Sequence, residues 1–356
     1  MKQLKKIFTV LTFILLALTP AIASAQDSSD PGEAAEFSAT KIAPTSPQVD
    51  PNSAFYDLLV QPGDEVTIQA ELTNYSADEN TIQMGNYTTF TNDNGEINYS
   101  APLPEDRQDE SLELPFSAIS SLMEGDTVTL APGEKKVVSM GINIPQEAHN
   151  GVILGSWYFE KQGTDTEAPD QDQGGVHIDN RFAYAMAVKL TIQSEVDSPN
   201  MNLLTVEPGL NNYQKVINAQ VQNDHAAILS ELAFTGEITR QGNDRVLLNQ
   251  SLENRVMAPN SNYNVPFFYG ERQLEPGDYT LHLKATTTDP KWEEQSWEWT
   301  EDFTITREQA DEINQAAVND PEPEPNYLVY VLIGIILLLL LILLIVLFRK
   351  KRQNNQ

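Results

Sequence analysis

Phe182-Ala-Tyr184-Ala-Met186-Ala-Val188-Lys-Leu190-Thr-Ile192 places a large apolar side chain at every second position. Successive side chains leave a strand on opposite faces, so a period of two marks a half-buried β-strand. The same alternation recurs at Val66, Ile68, Ala70 and Leu72, and again at Val138, Met140, Ile142 and Ile144. It returns at Ile217, Ala219 and Val221, at Tyr279, Leu281, Leu283 and Ala285, and at Trp297, Trp299, Phe303 and Ile305. Pro62-Gly63-Asp64, Pro132-Gly133-Glu134 and Pro276-Gly277-Asp278 each stand just before such a stretch. Proline presets φ in a turn and glycine accepts φ > 0 after it. Asn94-Gly95 between Phe90 and Ile97 predicts a two-residue hairpin. No long repeat is visible.

Short strands with closely spaced turns predict an all-β fold of two tandem immunoglobulin-like β-sandwiches, followed by a single C-terminal transmembrane α-helix. The first sandwich is expected over residues 36–165, extending to 195 if strand 181–193 closes it. The second is expected over 166–306, with its core from 200, after a hinge at Ser198-Pro199-Asn200. Which sandwich owns strand 181–193 is left open. Residues 307–326 have helix-forming composition and then a stiff Pro/Glu stalk.

Lys2, Lys5 and Lys6 precede an apolar run from Ile7 to Leu18, then Pro20 and Ala23-Ser24-Ala25. That order predicts a cleaved signal peptide over 1–25, with a disordered linker at 26–35. Tyr327 to Phe348 carries no charge. As a helix it reaches roughly 32 Å, the thickness of a hydrocarbon core. The basic tail 349–356 is expected in the cytoplasm, which leaves the body outside a single-pass cell-membrane anchor. Asn319 to Asn326 contains no LPxTG sorting motif, so the chain is expected to stay in the membrane.

There is no cysteine, so an exported body must hold itself together by hydrophobic cores. All 51 acidic residues but only 15 of the 22 basic ones lie between residues 26 and 326, a formal balance of −36. Such a surface repels nucleic acid.

His149, His177, His225 and His282 show no paired ligand spacing, and neither a nucleophile elbow nor a phosphate loop appears. The Asp170/Asp172 segment begins like a calcium loop. It then puts Gly174 at its fifth position and Arg181 at its twelfth, where a bidentate glutamate belongs. A solvated loop is the expectation, with no catalytic residue, metal or cofactor. Asn74, Asn86 and Asn98 fit the glycosylation acceptor pattern. Trp157 and Trp297 are expected in the cores. Tyr158 and Trp292 fall at less regular positions and are expected at the surface, as candidate contacts for glycan or protein.

The first half runs through Phe37-Ser38, Phe55-Tyr56-Asp57-Leu58, Pro62-Gly63, Glu71-Leu72-Thr73-Asn74, Asn94-Gly95, Tyr99, Pro145 and Gly151-Val-Ile-Leu-Gly155. The second runs through Ile178 to Tyr184, Met257-Ala-Pro259, Leu274, Pro276 to Tyr279, Trp297-Glu-Trp299 and Phe303. In this order, with the signal and anchor, the chain resembles the WxL-interacting proteins of Gram-positive bacteria. The resemblance implies a non-catalytic surface scaffold or adhesin. Its first domain would bind peptidoglycan; its second would bind a WxL-domain surface protein and, in some members, host extracellular-matrix protein. In the family's usual division, strand 181–193 goes with the second domain. A membrane-anchored assembly chaperone and a carbohydrate-active enzyme are the competing readings.

Overall fold

The computed structural model describes residues 36–162 and 182–317. The expected signal peptide, linker 26–35, Asp170/Asp172 loop, stalk, Tyr327–Phe348 span and basic tail lie outside those residues. Among the described residues no helix is long and apolar enough to cross a membrane.

The chain is all-β, with two successive pairs of facing sheets. Strands are numbered along the chain. In the first pair, one sheet runs β1 (Phe37–Ile42), β3 (Glu65–Asn74), β9 (Lys135–Asn143), β7 (Ser120–Leu122). The other runs β2 (Tyr56–Val60), β11 (Ala183–Ile192), β10 (Gly151–Lys161), β4 (Asn80–Thr88), β8 (Thr127–Leu130). Their inner faces share one core that includes Ile68, Val138, Trp157, Phe159, Val188 and Leu190. Burying each such large side chain contributes roughly 1.5–3 kcal/mol. Trp157 is fully buried, as its strand position predicts.

The stretch Phe182 to Ile192 therefore lies inside the first pair. β11 runs antiparallel to β10, with Trp157 opposite Met186, and parallel to β2, with Leu58 opposite Leu190. Its large apolar side chains face the core, the alanines between them face outward, and Phe182, which precedes the strand, is 44% exposed.

In the second pair, one sheet runs β12 (Asn202–Asn211), β13 (Gln214–Asn223), β16 (Ser261–Phe268). The other runs β15 (Val246–Met257), β14 (Leu229–Arg240), β17 (Gly277–Thr287), β18 (Gln295–Ile305). Pro208 and Pro266 sit in β12 and β16, the two edges, where a missing N–H is tolerated. Trp297 is half-buried against this core. Helix α2 (Arg307–Ala316), after the four-residue α1 (Phe116–Ile119), starts at Thr306 with a capping box to Gln309. Asn314 fastens it to the body by exchanging two hydrogen bonds with the backbone of Leu274.

The two pairs repeat one topology. Neighbours β1-β3-β9 recur as β12-β13-β16, and β11-β10-β4-β8 as β18-β17-β14-β15. β11 is thus the counterpart of β18, and β2 and β7 are additions to the first pair. Gly151 and Gly277 open the equivalent strands β10 and β17 with φ of 132° and 146°.

The turns correct two expectations. Gly63 and Gly133 take φ of 88° and 71° in their Pro-Gly turns, whereas Gly277 already belongs to β17. The Asn94-Gly95 hairpin joins β5 (Phe90–Thr91) to β6 (Ile97–Asn98). Its loop is longer than two residues, because Asn92 N–H donates to Glu96 O and Gly95 N–H to Asn92 O. A two-residue hairpin does occur, at Asn212-Tyr213 between β12 and β13, with both φ values positive at 48° and 62°.

Candidate functional site

The outer face of the sheet built on β10 carries three ranks of side chains set by register. Tyr87, Ser156 and Ala187 form the first; Gly85, Tyr158 and Ala185 the second; Gln83, Glu160 and Ala183 the third. Tyr158 and Tyr87 are both half-buried, and their rings meet at 5.5 Å between centroids with a 36° tilt. Gly85 makes this possible, since a Cβ there would come within 2.4 Å of the Tyr87 ring. Burial, and then the Glu160 carboxylate, push the Tyr87 hydroxyl above its ordinary pKa, so it stays protonated. Gln162 donates to the Gln83 side chain at 3.0 Å at the far end. The opposite end is roofed by the loop after β6, where Ser156 Oγ donates to Tyr99 O at 2.6 Å.

Trp292 is half-buried and packed against the second core rather than displayed. Its Nε1 donates to Val196 O at 3.1 Å, and Lys291 Nζ lies 4.7 Å from its ring centroid. The indole thus pins the segment that joins the two sheet pairs. Sequence reading names Tyr158 and Trp292 as candidates in separate sandwiches, and the fold places them in separate halves.

A cavity of about 500 Å³ opens between the halves. Leu112, Leu114, Val152 and Val196 give it apolar walls, and Glu113, Glu147 and Asp224 supply carboxylates. His225 Nδ1 lies 2.6 Å from Asp224 Oδ1. Burial raises the Asp224 pKa, but hydrogen bonds from His225, Asn202 and Asn200 outweigh it and leave the group below its ordinary value. Ser111 Oγ, on the cavity wall, donates to Asp109 and accepts from Asn260, and Thr89 donates to Leu154 O. Among the described residues no hydroxyl bonds to the His225 ring. No group of three or more metal-ligating side chains occurs among the described residues.

Of the acceptor-pattern asparagines, Asn74 is buried, with its amide nitrogen bonded to Asp78 O, Leu130 O and Ala131 O.

Two family models match this chain. The WxL Interacting Protein peptidoglycan binding domain covers residues 37–161, and the host binding domain of the same family covers 173–315. The chain belongs to the WxL-interacting protein family. Its domains are of binding types, in the order that the resemblance implies. In this WxL-interacting protein the second match takes in β11, although hydrogen bonding places that strand in the first pair of sheets. No curated protein matches the chain. Solved structures of similar arrangement include a chaperone–tip adhesin complex of CFA/I fimbriae, with 12% identity and TM-score 0.31 over 68% of this chain and 94% of that one. The class 5 fimbriae chaperone CfaA has 12% identity and TM-score 0.29 over 74% and 99%. The Pseudomonas aeruginosa CupB2 chaperone has 12% identity and TM-score 0.25 over 67% and 95%.

Sequence reading missed Tyr87 and Gly85. A glycine inside an alternating strand signals a close approach, and Gly85 two residues before Tyr87 carried that signal.

Proposed function

We propose that this protein is a non-catalytic, membrane-held surface scaffold. Its first half grips peptidoglycan, and its second holds a WxL-domain surface protein, with host extracellular-matrix protein as a further ligand. The observation that carries the reading is the pair of binding-domain matches, in order, over most of the chain. The uncharged Tyr327–Phe348 segment and the basic residues after it support the single-pass anchor.

The formal balance of −36 over residues 26–326 sets how each contact must work. An acidic body gains nothing electrostatically from a polyanionic wall, so glycan contact rests on hydrogen bonds and ring stacking. A protein partner with basic surface is drawn to the same body. Full-length chain mixed with insoluble peptidoglycan, or with a purified WxL protein, at low and high salt tests this. Wall binding should hold or rise with salt as repulsion is screened, and binding to a basic WxL protein should fall. Failure to bind either ligand at any salt would remove the scaffold reading and favour the assembly chaperone.

A further inference from the structure

In an ectodomain this acidic, the three ranks around Tyr158 contain a single carboxylate, Glu160. The rest of that patch is aromatic, amide, hydroxyl or methyl. β4 and β10 are each paired on both sides, so their backbone groups are already used within the sheet. An extended peptide, which binds through backbone bonds to a sheet edge, finds no such edge here. A nucleotide would find rings to stack on but would bring phosphate to a strongly negative body. What remains is a ligand that is flat, neutral and rich in hydroxyl and amide groups.

We infer that this face is a saccharide platform on which Tyr87 and Tyr158 stack against successive sugar rings of a neutral, N-acetylated glycan strand. The assignment deepens the peptidoglycan reading and rests on it. Sugar rings present weakly positive C–H groups, which match the negative face of a tyrosine ring. The tilted pair offers two adjoining surfaces whose centroids lie 5.5 Å apart. Gln83 and Gln162 stand at one end with both amide donors and acceptors, suited to ring hydroxyls and acetamido groups. Ala183 and Ala185, exposed beside Tyr158, keep the approach low enough for a broad ligand to lie flat. The platform thus selects the glycan strand of the wall, not its stem peptides.

The test is sedimentation of the full-length chain with insoluble peptidoglycan, with N-acetylglucosamine oligomers or soluble stem peptides as competitors. Tyr87→Ala with Tyr158→Ala should weaken retention at least tenfold. Ala185→Glu, at an exposed position where folding is unaffected, should do the same with an unchanged melting temperature. Tyr158→Phe, which keeps the ring face, should retain binding within about twofold. The oligomers should compete and the stem peptides should not. If wild type is retained and Ala185→Glu is retained equally, the platform is overturned while the peptidoglycan reading stands. Competition by stem peptides alone overturns the ligand class. If wild type is not retained at all, the peptidoglycan reading falls and takes the platform with it.

Discussion

Asn74 and Asn223 make the same bonds at the same corner of the two sheet pairs. Each ends a strand, β3 or β13, and accepts from the N–H two residues on, at Ser76 or His225. Each donates from Nδ2 to the carbonyl four residues on, at Asp78 or Ala227. Each also donates to an alanine just before a proline, Ala131 or Ala258. The corner ties the β3–β4 turn to the turn before β9, and its counterpart ties β13–β14 to the turn before β16. Replacing either asparagine by alanine removes this set of hydrogen bonds, each contributing about 0.5–1.5 kcal/mol. Asn74→Ala and Asn223→Ala should each lower the urea midpoint by a comparable amount. A normal midpoint in either variant would mean that the corner is ornamental.

The placement of β11 makes a claim about fragments. A piece ending at residue 161 keeps the peptidoglycan-binding match but loses the strand between β10 and β2. It exposes the inner side of Trp157 and leaves β2 without its sheet partner. Fragment 36–161 should therefore aggregate or lack a cooperative melt, and fragment 36–196 should melt cooperatively. Circular dichroism and light scattering on the two pieces decide the matter. A well-folded 36–161 would show that β11 is dispensable to the first core.

Alternation told which face of each strand is buried, and so the all-β class and most core residues were legible. It carried nothing about which sheet buries that face, because pairing is set by contacts far apart in the chain. For β11 the decision rests on Leu58 and Trp157, on strands that come earlier in the chain. The Trp292 bond to Val196 is out of reach of sequence reading for the same reason, since it spans 96 positions. Asn94-Gly95 signals a local turn, yet Gly95 O accepts from Val256 N–H in the second half at 2.9 Å. A Cβ on Gly95 would come within 2.4 Å of the Arg255 side chain. Tyr158 stands out in the sequence at its irregular position; that Tyr87 lies beside it follows only from the register.

The hairpin bearing Gly95 makes a second contact that can be cut cleanly. Thr91 Oγ1 is buried, lies 2.7 Å from Ser261 Oγ, and accepts from Ala258 N–H at 3.0 Å. Ser261 Oγ donates to Ala258 O, so Thr91 supplies the proton of the pair. Thr91→Val keeps the shape and leaves the Ala258 N–H without an acceptor, at about 1–3 kcal/mol. Because the bond joins the two halves, the variant should unfold in two separated calorimetric steps where wild type unfolds in fewer. A single, unshifted transition in Thr91→Val would show that this bond is not what couples the halves.

Asp289 sets an acid limit on the second half. Its side chain is almost fully buried and accepts from Ser230 Oγ, from Ser230 N–H at 3.2 Å and from Lys291 N–H at 3.0 Å. The Lys291 ammonium stands 3.2 Å away. Burial alone would raise its pKa; the Ser230 and Lys291 bonds and the Lys291 charge outweigh burial and hold it below the ordinary value. The folded chain therefore takes up this proton less readily than the unfolded chain, whose aspartates titrate at about 3.9. The stabilisation is complete above that value and is lost as pH falls through the lower folded value. Asp289→Asn keeps the shape but gives up the charge, so it should be less stable than wild type at neutral pH. The difference should shrink as both are taken to acid, because only wild type has this charge to lose. Urea unfolding of both proteins from neutral to strongly acidic pH measures it, and a gap that stays constant would show that the Asp289 charge does no stabilising work.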